Sequence, residues 1–114
     1  MPEISVQHQC ASLSNLKPTA TFGTPVGSLP EQTDGCFFAQ DNLLAGTWEC
    51  APGKLELDLD ITEFCHLLQG HWVLTSTSGQ ITELKAGDSW IFPKGWQGTA
   101  EVCETVRKVY LIIS

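Results

Sequence analysis

The chain lacks any pairing pattern among its five cysteines (Cys10, Cys36, Cys50, Cys65, Cys103). They contain no CxxC and no zinc-ligand spacing, and their number is odd. They read as reduced thiols packed as small hydrophobes. Basic residues are scarce as well. Six Lys and Arg stand against 13 Asp and Glu, for a net charge of −7 and a pI near 4.7. That shortage argues against nucleic acid or an anionic membrane surface as a partner, because each phosphate contact calls for Lys or Arg. No apolar run approaches the roughly 20 residues that span a bilayer. Met1 to Cys10 is polar and has no apolar stretch of the signal-peptide kind, so the cytoplasm is the expected compartment. Internal repeats and low-complexity tracts are missing, and no window offers a capped helical stripe.

What the chain does have suits one domain: 114 residues, 42% of them hydrophobic, and 17% charged against about 25% in an average soluble protein. Residues 1–39, punctuated by Pro18, Pro25 and Pro30, read as an N-terminal arm of the same domain. Thr19 to Phe22 is a candidate short edge strand, and Cys36 to Ala39 a second pairing segment. Residues 40–114 change character. Short β-like runs recur between turn signals at Pro52-Gly53, Gly70, Ser78-Gly79, Gly87-Asp88 and Pro93-Lys94-Gly95. Leu55 to Asp60 alternates strictly between apolar and acidic residues, the pattern of a strand with one buried face. The predicted fold is all-β, a sandwich or barrel.

Two stretches carry more than periodicity. Glu63 is followed after six residues by Gly70, and Gly87 after five residues by Pro93-Lys94-Gly95. Sixteen residues apart, these resemble the ends of the two cupin motifs, G-x5-H-x-H-x3–4-E-x6-G and G-x5-P-x-G-x2-H-x3-N. With Gly46-Thr47-Trp48-Glu49 and Glu104 to Tyr110, the text is similar to single-domain cupins grouped with (S)-ureidoglycine aminohydrolase, over about residues 40–113. The resemblance implies a small conical jelly-roll β-barrel of RmlC-like type, whose mouth holds a metal or a small ligand, and a homodimer. The motif histidine positions fall on Leu57 and Leu59, or Glu56 and Asp58, and the last on Gly98. Of four potential metal ligands only Glu63 remains, so no tightly bound metal is expected.

Alternation sketches the mouth. With Glu63 inward, Cys65 and Leu67 follow; burial favours Leu55, Leu57 and Leu59 on the preceding strand, and Gly98, Ala100 and Val102 further on. On the last strand the apolar-face criterion selects Arg107, Val109 and Leu111 over Lys108 and Tyr110. The expected ligand-binding set is Leu57, Leu59, Glu63, Cys65, Trp96 and Ala100, with Trp96 as a rim residue. Glu63 is the candidate catalytic acid or base, since desolvation among leucines raises a carboxyl pKa. The plain alternative is a buried Glu held by backbone or by a nearby Lys or Tyr. Cys50 and Cys65 have no base placed beside them and are read as packing residues. His66 and His71 read as surface or packing residues, and Arg107 or Lys108 near the mouth as a candidate anchor for a carboxylate ligand. The expected function is binding of a small polar metabolite; the alternative is a small-molecule hydrolase or isomerase using Glu63, with or without a divalent metal.

Overall fold

A computed structural model describes residues 2–114. Every long element in it is a strand, and the only helix among the described residues is one 3-10 turn, Cys10–Ser12. No helix of the described residues is long and apolar enough to cross a membrane. The arm supplies two short strands, β1 (Lys17–Pro18) and β2 (Thr24–Pro25), and a long one, β3 (Gln32–Gln40). β4 (Leu43–Cys50) and β5 (Gly53–Asp58) follow, then β6 (Thr62–Ser76), β7 (Ile81–Lys85), β8 (Ser89–Phe92) and β9 (Gln97–Ile113). Thr19 to Phe22, expected as an edge strand, instead forms an irregular strap between β1 and β2.

Two strands, β6 and β9, are long enough to serve both halves of the barrel. They pair antiparallel with each other, from Thr62↔Ile113 to Ser76↔Gly98. The C-terminal half of β9 carries β4 on its other edge, and β4 carries β3. Its N-terminal half carries β5, and β5 carries β2. β6 likewise takes β8 beside Glu63–His66 and β7 beside His71–Thr75. The register between β6 and β9 shifts three times between Leu67 and Trp72, and those bulges bend the pair so that the halves close on one another. Gly70 sits in that bend at φ +95°, and a Cβ there would lie 2.1 Å from the carbonyl oxygen of Thr105. Only glycine fits both the backbone angle and the approach.

Between the halves lies the core. Trp72, from one half, packs on Trp48 (centroids 5.8 Å apart), Trp90 (5.6 Å) and Phe92 (6.3 Å) of the other. Burial of side chains this large stabilises the domain by about 1.5–3 kcal/mol each. The alternation expected for β5 and β6 is seen: Leu55, Leu57, Cys65 and Leu67 are buried, while Phe64 is exposed. On β9, Ala100 and Val102 are buried, as are Val106, Lys108 and Tyr110. The expectation that Arg107, Val109 and Leu111 face the interior is therefore corrected. Those three lie on the outer face, where Val109 and Leu111 are half-buried and Arg107 is covered by the arm. The same outer face exposes Leu43, Phe64, Ile91 and Ile113.

Candidate functional site

The inner face of the β3-β4-β9-β6 half carries the chemistry. Glu63 on β6 and Lys108 on β9 are each within 2% of complete burial, and the Lys108 ammonium donates to Glu63 Oε2. The Cys65 thiol donates to the same oxygen at 3.2 Å and lies 3.7 Å from Lys108 Nζ. Glu63 Oε1 is buried and has no hydrogen-bond partner. Aromatic rings surround the ammonium: Nζ is 4.7 Å from the centroid of Trp48, 4.9 Å from Phe22 and 5.7 to 5.9 Å from Trp72, Phe92 and Tyr110. Ring faces are electronegative, so this cage favours the charged amine.

Burial pulls the Lys108 ammonium down, but Cys65 and Glu63 pull it back past its ordinary value, so it stays charged. Burial pushes the Cys65 thiol well up, and Lys108 only partly opposes this. Cys65 is thus a neutral thiol, unsuited to nucleophilic attack. On β3, Asp34 accepts a hydrogen bond from Tyr110 Oη at 2.7 Å. Burial raises the Asp34 pKa, while the Tyr110 bond and Lys108 oppose the rise. Tyr110 is itself raised by burial and by that bond.

A cavity of about 250 Å³ opens over this group, walled by Asp34, Trp48, Glu63, Lys108 and Tyr110 and roofed by Thr19 to Phe22 of the strap. Gln32, buried on β3, fastens the roof. Its Oε1 accepts from the Phe22 amide (2.8 Å) and from Trp48 Nε1 (3.2 Å), and its Nε2 donates to the Phe22 carbonyl (3.4 Å). These bonds hold the Phe22 ring edge-on to Trp48 above Lys108.

Of the residues singled out from the sequence, Glu63 lines this cavity and Cys65 sits beneath it. Leu57, Leu59 and Ala100 are core residues elsewhere in the barrel. Trp96 packs on Phe92, with centroids 5.4 Å apart, and shields Gly98 rather than the cavity. His66 bonds Ser89 at an exposed position, and His71 lies near Glu83. Sequence reasoning missed Asp34, Trp48 and Phe22 as site residues; it turned Lys108 and Tyr110 outward, while keeping Lys108 as a candidate anchor at the mouth. For the last strand the signal was present: continuing the alternation of Gly98, Ala100 and Val102 leads to Val106, Lys108 and Tyr110. The apolar-face rule overrode it because the outer face of β9 is the more apolar one.

Cupin barrels commonly hold a metal on histidines and a glutamate, but these residues do not fit one. Leu57, Leu59 and Gly98 offer no donor atoms, and the one carboxylate at the motif position is bonded to an ammonium. Among the described residues no group of three or more His, Cys, Asp or Glu is placed to share an ion.

Solved structures show the same fold. Ethanolamine utilization protein Q of Salmonella typhimurium superposes with a TM-score of 0.71 at 20% identity, over 96% of this chain and 92% of that one. A DUF861 protein of unknown function from Pseudomonas syringae gives a TM-score of 0.79 at 23% identity, covering 88% of this chain and 45% of that longer one. A DUF861 protein from Thermotoga maritima shares 33% identity over 56% of this chain and 73% of that one, with a TM-score of 0.55. No curated protein matches the chain. The model of the EutQ-like cupin domain matches residues 39–110, well over half of the sequence, and the chain belongs to that family.

Proposed function

We propose that this cupin binds a small polar metabolite in the strap-covered cavity, over the Glu63–Lys108 pair. The observation that carries the reading is Glu63 Oε1, a buried oxygen without a partner on the wall of a cavity whose lining is mostly apolar. Buried polar atoms are nearly always bonded, and an orphan beside open space is a natural ligand contact. The volume, about 250 Å³, lies just below the roughly 300–1,000 Å³ of drug-sized sites, which suits a small molecule. A thermal-shift screen of metabolites against the wild type and Ile112→Trp, which fills the cavity, tests this. Stabilising compounds are expected to lose their effect in the variant; compounds that stabilise both equally bind elsewhere and would sink the reading.

A second reading is a hydrolase or isomerase similar to ureidoglycine aminohydrolase-type cupins, with Glu63 moving a proton. The place of Glu63 on the cavity wall favours it, since Oε1 has no partner and can take a proton from a ligand there. Turnover abolished by Glu63→Gln with ligand affinity retained would distinguish it from binding alone. The reading is of a cytoplasmic homodimer. Five free cysteines support a reducing compartment, and the exposed outer-face residues Leu43, Phe64, Ile91 and Ile113 support a second copy as partner.

A further inference from the structure

Counting donors and acceptors around the cavity leads to the class of its ligand. The side-chain donors that line it are largely committed. Tyr110 Oη gives its proton to Asp34, Trp48 Nε1 bonds Gln32, and Lys108 is directed to Glu63 Oε2 and the Cys65 sulfur. The hydroxyls of Thr19 and Thr21, which can donate or accept, have no side-chain bond, and one of the three N–H groups of Lys108 is also free. The acceptors are committed only in part, Asp34 Oδ1 to Tyr110 and Glu63 Oε2 to Lys108 and Cys65. Glu63 Oε1 has no partner although Glu63 is 1% exposed, and Asp34 forms no ion pair among the described residues.

Charge points the same way. Lining the cavity are two carboxylates and one ammonium, and that ammonium is already paired with Glu63. The surplus is one negative charge beside the rings of Phe22, Trp48 and Tyr110, whose faces also attract cations. A carboxylate or phosphate ligand would meet two carboxylates and a single ammonium already paired with one of them. A protonated amine would instead donate to the unpartnered Glu63 Oε1 and neutralise the surplus.

On the reading that this cavity is a binding site, we propose that its ligand is a small primary ammonium compound, held by Glu63 Oε1 and Asp34 and flanked by aromatic rings. This reverses the expectation that a basic residue at the mouth anchors a carboxylate. Lys108 serves instead to neutralise one of the two acidic groups, leaving room for a single further positive charge.

The test uses four probes of matched size on the full wild-type chain: n-propylammonium, n-propanol, propionamide and propionate. Binding is followed through the NMR signals of the Trp48 indole N–H and the Phe22 amide. n-Propylammonium is expected to bind at least about tenfold more tightly than n-propanol, and propionate not at all. Asp34→Asn is expected to lower the ammonium affinity by about tenfold or more. Because the ranking is measured on the wild type, it does not depend on any variant folding. Tighter binding of propionate, propanol or propionamide overturns the ammonium class and leaves the binding-site reading intact. Ammonium binding that misses these signals, or is unchanged in a folded Asp34→Asn, overturns the assignment to this cavity. No response at these signals to any of the four overturns the ligand class and the binding-site reading together.

Discussion

Arg107 and Lys108 are neighbours on β9, both are buried, and each is bonded to a glutamate, yet the two positions do different work. Lys108 points into the barrel, where Glu63 and Cys65 share its charge beneath five aromatic rings. Arg107 points outward, bonding Glu49 at 2.9 Å and the carbonyl oxygens of Cys10 and Leu13, also at 2.9 Å. The lysine is a compact charge with rotatable donors, suited to a cage of carboxylate, sulfur and rings. The arginine has a rigid fork and clips the arm to the sheet through several bonds at once. One cation belongs to the cavity and the other to the packing of the arm.

Removing the inner glutamate is the most damaging change. Glu63→Gln leaves a charged lysine in the interior without its carboxylate, and is expected to cost about 3–5 kcal/mol in denaturant unfolding. Adding Lys108→Met to that variant should restore most of the loss, because no charge is then left buried without its counterpart. A double variant as unstable as Glu63→Gln alone would mean that the pair is not the source of the cost.

On the outer face the expected loss is smaller, since Glu49 is partly exposed. Arg107→Met should cost about 2 kcal/mol and speed proteolysis and hydrogen exchange near Cys10 to Leu13 while the barrel amides stay protected. Loss of protection throughout the barrel would show that the two cations are not separable. Gln32→Leu addresses the roof of the inner site. It is expected to cost about 1 kcal/mol and to accelerate exchange of the Phe22 amide; unchanged exchange there would show that the strap is held by other contacts.

The last effect is alkaline. Burial lifts the Cys50 thiol from 9.0 to about 11, opposed by Lys108. Between those values the unfolded chain has released the proton and the folded chain still holds it. Unfolding free energy therefore falls as pH rises from about 9 to about 11. Lys108 adds to the same trend, because its raised folded pKa makes its stabilisation disappear as pH passes upward through that value. Cys50→Ala should flatten the part of the slope due to the thiol, as measured by urea unfolding across that range.

Much of the barrel was legible. Leu55-Glu56-Leu57-Asp58 announced its buried face because two-residue periodicity is a local property of a strand. Glu63, Gly70, Gly87 and Pro93-x-Gly95 identified the barrel type. The strap was harder to foresee: Thr19 to Phe22 has strand-like residues but pairs with no strand, and its place depends on Gln32 and Trp48, ten and more residues away. Lys108 was hidden by a rule that assumes the more apolar face is buried. A buried ion pair breaks that rule when each charge has its counterpart.

Sequence alone determined the strands, their inward and outward alternation on β5 and β6, the loss of the motif histidines, and one acidic residue inside. These follow from neighbours along the chain. Only the tertiary structure decided that Glu63 has Lys108 as its partner, that Asp34 and Tyr110 share its cavity, and that Phe22 roofs it. Those contacts join β3, β6, β9 and the strap, and their geometry depends on where the bulged pair β6 and β9 bends, a result of packing between distant segments that no local pattern encodes.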